Sequence, residues 1–200
     1  MSKTAEFYFD VGSPASYLAW TQLPTICKEA GGTLVYKPML LGGVFQATGN
    51  VSPATIPAKG AYTGIDLARH ARRYGVPYQA NPHFPINTLT LMRAVTGVQM
   101  KLPDRFQDFL RSIFHALWVD ALNLNEPQLV AKTLADAGFD VEQILALTND
   151  PEVKSQLRST TDEAVQRGVF GAPTAFVGEH MFFGQDRLEW VRQALQGKPL

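Results

Sequence analysis

Apolar side chains crowd the start of the chain: Glu6, Phe7, Tyr8, Phe9 and Val11 are mostly aromatic or β-branched, the composition of a buried strand. Gly12 ends that run. Ser13 suits a helix N-cap and Pro14 the first helical position, where its missing N–H leaves nothing unpaired and its φ is already helical. A strand is therefore expected to run straight into a helix. Gly31-Gly32 closes that helix, and Thr33 to Pro38 predicts a second strand returning parallel to the first through a right-handed crossover. Met39 to Lys59 contains Gly42, Gly43, Gly49, Pro53 and Pro57, too many breakers for a long helix, with Thr48-Gly49-Asn50 and Ser52-Pro53 as turn signals. Loops of this length are usually functional or mobile.

From Tyr62 to about Gly168 helical spacing dominates. Ile65 to Tyr74, Thr88 to Met100, Asp104 to Asn123, Glu126 to Gly138, Val141 to Leu147 and a segment opening at Asp150-Pro151 are the predicted helices. The final section reverts to β. Thr174 to Val177 predicts a strand, Gly178-Glu179-His180 a turn, Met181 to Phe183 its hairpin partner, and Asp186 to Gln196 a closing helix. The order βαβ, helices, ββα matches an α/β fold of thioredoxin-like type carrying an all-helical insertion. The expected division is a thioredoxin-like domain of residues 1–61 and 169–200, with residues 62–168 as the insertion.

Composition narrows the partners. With 200 residues, 46% of them hydrophobic, the chain can bury a substantial core, and its 18 basic and 18 acidic side chains cancel. No strong field then favours nucleic acid or an anionic membrane. No apolar run approaches the roughly 20 residues of a spanning helix, and Met1-Ser2-Lys3-Thr4 leads into the first strand without a secretory segment, so a cytoplasmic location is expected. Cys27 is the single cysteine; it sits beside Leu23 and Ile26 and reads as a core side chain with no disulfide partner. His70, His83, His115 and His180 are scattered, and Asp66 with His70 reads as a surface contact, so no metal site is expected.

Candidate chemistry centres on Ser13-Pro14-Ala15-Ser16. Thioredoxin-like proteins place a Cys-x-x-Cys at such a helix start, where dipole and unpaired amides lower a thiol's pKa. Hydroxyls here keep the hydrogen-bonding geometry without redox chemistry, so a thiol handled at this point must come from outside. Serine hydrolysis is disfavoured, because no Gly-x-Ser-x-Gly is present. Ser16 is open to two readings, a second donor or a partner of the backbone.

Phe7 to Ala19, Thr48-Gly49-Asn50, Asn81-Pro82-His83-Phe84-Pro85-Ile86-Asn87, and Gly168-Val169-Phe170-Gly171-Ala172-Pro173-Thr174 followed by Phe183-Gly184-Gln185-Asp186-Arg187-Leu188 carry a resemblance over essentially the whole chain. Together they resemble the 2-hydroxychromene-2-carboxylate isomerase family, similar to kappa-class glutathione transferases and to DsbA-type proteins. The resemblance implies glutathione as cofactor, a homodimer, and Ser13 Oγ as the catalytic donor to the glutathione sulfur. It also implies a cis Ala172–Pro173 bond that exposes the backbone of Ala172 to the cysteinyl unit, where composition alone predicts trans. Asp186 and Glu189 read as a capping box for the last helix. Under the resemblance the amides of Gln185 and Asp186, with the Asp186 side chain, meet the γ-glutamyl end. Phe183-Gly184 stands where relatives often have Trp-Gly.

Phe45, Asn50, Asn81 and Phe84 are the acceptor-side candidates, with Val44, Thr55 and His83 in the same two breaker-rich segments. Lys59 and Arg93 are cations that either meet a carboxylate or are simply solvated. The implied reaction is reversible thiolate addition to the conjugated bond of a benzylidenepyruvate-type keto acid, followed by rotation and elimination. The alternatives are glutathione transfer to an electrophile and glutathione binding without turnover.

Overall fold

The computed structural model describes residues 3–200; Met1 and Ser2, part of the expected leader-free start, lie outside the described residues. A four-stranded sheet runs β2-β1-β3-β4, built from β1 (Thr4–Phe9), β2 (Thr33–Pro38), β3 (Thr174–Val177) and β4 (His180–Phe183). β1 pairs parallel with β2 and antiparallel with β3, so Phe7 lies opposite Tyr36 on one side and Ala175 on the other. Such a central strand is covered on both faces, which is why its sequence is nearly continuously apolar rather than alternating. Ala5, Phe7 and Phe9 join the large core with α1 (Pro14–Glu29), while Tyr8 turns to a smaller cluster with Met39, Val44, Ala164, Val169 and Phe176.

Seven α-helices separate the two halves of the sheet in the chain: α2 (Leu41–Thr48), α3 (Pro57–Tyr74), α4 (Leu89–Lys101), α5 (Phe106–Trp118), α6 (Pro127–Asp136), α7 (Val141–Asn149) and α8 (Pro151–Gln166). This is the thioredoxin-like order expected from the sequence. Two boundaries differ for physical reasons. The breaker-rich stretch contains a short helix, α2 (Leu41–Thr48), because Gly43 lets it approach α8 so closely that a Cβ there would lie 3.2 Å from Thr161 Cγ2. α3 starts at Pro57, upstream of the expected Ile65, since Pro57 occupies its first turn.

The end of the chain departs further. A 3-10 turn over Gln185–Arg187 precedes α9 (Leu188–Leu195), whose N-cap is Arg187 with no side-chain cap bond. Asp186 therefore does not form the expected capping box with Glu189; its carboxylate pairs with Arg187. Among the described residues no helix is long and apolar enough to cross a membrane.

Candidate active site

β1 stops at Phe9 because Asp10 and Val11 bond elsewhere. Val11 O accepts from the Trp118 indole at 2.8 Å, which ties α5 to the turn, and Val11 N–H points at Met92 sulfur at 3.4 Å. Asp10 is 1% exposed. One of its carboxylate oxygens accepts from Gly12 N–H (2.8 Å), the other from Leu41 N–H (2.9 Å) and the Thr88 hydroxyl (3.0 Å). Burial pushes this carboxyl above its ordinary range against the pull of those three donors. The starts of α1, α2 and α4 are thereby gathered at one buried group. Sequence reading missed it, although an aspartate embedded between Phe9 and Val11 in an apolar run was itself the signal.

On that support Ser13 caps α1. Its N–H donates to Asp10 O at 3.0 Å, its Oγ accepts from Ser16 N–H at 3.1 Å, and its hydroxyl donates to Ala172 O at 3.1 Å. The Ala172–Pro173 bond is cis, so the carbonyl before it is turned to the helix start. Gly184 N–H donates to Pro173 O at 2.9 Å, which seats the end of β4 against the same turn. Gly184 needs to be glycine here: its φ is 101° and a Cβ would fall 2.5 Å from Asp186 Oδ1. Gly171 lies so close to the Phe183 ring that a Cβ would be 2.7 Å from it, and Phe170 and Phe183 form an exposed aromatic pair 4.6 Å apart. Gln185 is held by its carbonyl, which accepts from Tyr74 OH at 2.5 Å.

The other candidates divide. Asn50 joins this corner, its amide donating to Phe170 O at 2.8 Å. Phe45 is half-buried on α2, and Phe84 packs on Trp118 with ring centroids 6.2 Å apart, on the flank where that indole meets Val11. Asn81 is buried and its amide is engaged by main chain: it donates to Leu117 O and Leu122 O (3.0 and 2.9 Å) and accepts from His83 N–H (2.9 Å). It shapes the loop beneath Phe84. The backbone-bonding reading of Ser16 fails, because its hydroxyl is fully buried with no hydrogen-bond partner among the described residues, while its N–H serves Ser13. Cys27 lies near the far end of α1, where burial pushes its thiol up to about 11.

A helix start, a capping hydroxyl and a cis-proline carbonyl converging without a thiol decide the comparison with known proteins. The model of the DSBA-like thioredoxin domain matches residues 4–196. The chain belongs to the DSBA-like thioredoxin family. Within that family it is similar to 2-hydroxychromene-2-carboxylate isomerase of Sphingobium xenophagum, 29% identical over 98% of this chain and 99% of the relative. It is similar also to human glutathione S-transferase kappa 1, 30% identical over 99% and 93%. A solved structure of a 2-hydroxychromene-2-carboxylate isomerase superposes with a TM-score of 0.83 at 27% identity, covering 96% and 94%. These relatives are isomerases and glutathione transferases. Among the described residues no group of His, Cys, Asp or Glu could hold a metal ion.

Proposed function

We propose that this chain is a glutathione-dependent isomerase interconverting 2-hydroxychromene-2-carboxylate and trans-o-hydroxybenzylidenepyruvate, or a similar aromatic unsaturated keto acid. The observation that carries the reading is the 3.1 Å contact between Ser13 Oγ and Ala172 O at the start of a 16-residue helix. The residues fit glutathione. Helix geometry leaves the Ala15 N–H unclaimed within α1, the Ser13 hydroxyl can rotate from a carbonyl to a sulfur, and the cis-Pro173 turn offers Ala172 main chain to a peptide.

When bound, glutathione supplies a thiol that adds to the conjugated double bond and leaves again after rotation, so it is not consumed. Ser13 donates to that sulfur and, with the positive end of α1, favours its anionic form. The amides of Gln185 and Asp186 meet the γ-glutamyl carboxylate, and the exposed Asp186 side chain exchanges Arg187 for the ammonium. Phe45, Asn50 and Phe84 form the acceptor side, with Asn81 fixing the loop that carries Phe84. The catalytic contribution is positioning and electrostatic stabilisation.

An ultraviolet assay of a benzylidenepyruvate with and without glutathione tests this directly. Ser13→Ala is expected to cut turnover about 10²-fold and raise the pKa of the bound thiol, with unchanged circular dichroism. Turnover that does not depend on glutathione would overturn the reading. The similarity to a kappa-class enzyme supports a second one, transfer of glutathione to an electrophile; a product heavier by one glutathione identifies it.

A further inference from the structure

A groove of about 670 Å³ lies between α2, α4 and α8 and shares no residue with the Ser13 corner. Leu40, Leu89, Leu157 and Val165 give it an apolar floor. Arg93, Lys154 and Arg158 project around that floor against a single carboxylate, Asp162. No ion pair or side-chain hydrogen bond engages these three cations among the described residues, although most other basic groups of the helical region do find carboxylates, such as Lys101 with Glu152 and Lys132 with Asp136.

Two features point to a ligand rather than to an ordinary solvated face. Lys154 and Arg158 stand one turn apart on α8, where like charges repel and destabilise the helix. Arg93 adds a third positive charge from α4, so the repulsion is concentrated at the mouth of an apolar recess instead of being spread over a surface. An anion held there relieves it, and a flat apolar body covers the leucines. On α2 the groove is lined by Gly43 and Ala47, which at helical spacing lie roughly opposite Phe45, the acceptor-side candidate.

We propose that this groove is a second binding site, for a small aromatic monoanion, independent of the glutathione site. The test uses anilinonaphthalene sulfonate as fluorescent probe and trans-cinnamate as competitor on the full chain. Expected are one probe per chain, displacement by cinnamate, and an affinity unchanged by saturating glutathione or by Ser13→Ala. Arg93→Glu with Arg158→Glu should weaken the probe by about tenfold or more, since two charge-assisted contacts become repulsive. Ala47→Trp, on an exposed position of α2, fills the groove without altering charge and should also abolish binding; it decides the matter if the charge reversals perturb folding. The proposal is overturned by absence of probe binding, by an affinity that survives both sets of substitutions, or by displacement with glutathione, which would put the probe in the Ser13 cleft. Loss on Ala47→Trp with no effect of charge reversal in a folded chain also overturns it, as an apolar recess without anion recognition.

Discussion

The two ends of α1 handle a Group 16 atom in opposite ways. At the N-terminal end Ser13 Oγ is placed among donors and acceptors: the Ser16 amide, the Ala172 carbonyl and the support of Asp10 beneath. Toward the C-terminal end Cys27 is 2% exposed in the apolar core, and its thiol is pushed up to about 11 by burial. The helix dipole reinforces the contrast, favouring an anion at the first position and opposing it at the second. Location therefore matters more than element: the Cys27 thiol is kept protonated, and on the proposed reading the Ser13 corner serves a sulfur the chain does not carry.

Moving a thiol from one end to the other gives the largest expected effect. In Ser13→Cys the introduced thiol should react with iodoacetamide at neutral pH on the order of 10³ times faster than Cys27. Mass spectrometry of the two labelled peptides measures the ratio. Comparable rates would mean that the helix start does not favour a thiolate, and the contrast between the two ends would collapse.

Removing the support beneath Ser13 should matter next. Asp10→Ala strips the acceptor from Gly12 N–H, Leu41 N–H and the Thr88 hydroxyl at once. Leaving such donors buried and unpaired is expected to cost about 3 kcal/mol, read from chemical denaturation. A loss below about 1 kcal/mol would show that water replaces the carboxylate and that the corner is not held from below. By contrast the Glu6, Lys37 and Arg167 pairs on the outer face of the sheet are partly exposed and screened, so Arg167→Ala should act mainly through its guanidinium packing 3.8 Å over the Phe176 ring.

Much of this corner was legible because its signals are local. Gly12, Ser13 and Pro14 announce a strand-to-helix junction by conformational preference alone, and the two strands of the closing hairpin follow from short β-branched and aromatic runs on either side of Gly178-Glu179. The cis bond before Pro173 was not legible from composition and came only with the family resemblance. What local reading missed depends on partners distant in sequence. Asp10 draws its meaning from Leu41 and Thr88, and the Asn81 amide is taken up by carbonyls at 117 and 122. The Asp186 box failed because a 3-10 turn, anchored by Tyr74 on α3, moved the helix start past it. Gly43 reads as a breaker until α8 is seen to need close approach to α2.

The smallest effect concerns Cys27 itself. Cys27→Ala removes a sulfur from the core and should cost about 1 kcal/mol at neutral pH, while turnover in the glutathione assay stays at the wild-type value. Because the folded chain raises this thiol from 9.0 to about 11, it binds the proton more tightly than the unfolded chain does. The resulting stabilisation is complete below pH 9.0 and is lost as pH rises toward about 11. The stability gap between wild type and Cys27→Ala should therefore narrow across that window. A gap independent of pH would place the thiol in contact with water, and a fall in turnover at neutral pH would give the far end of α1 a share in the chemistry that its burial denies it.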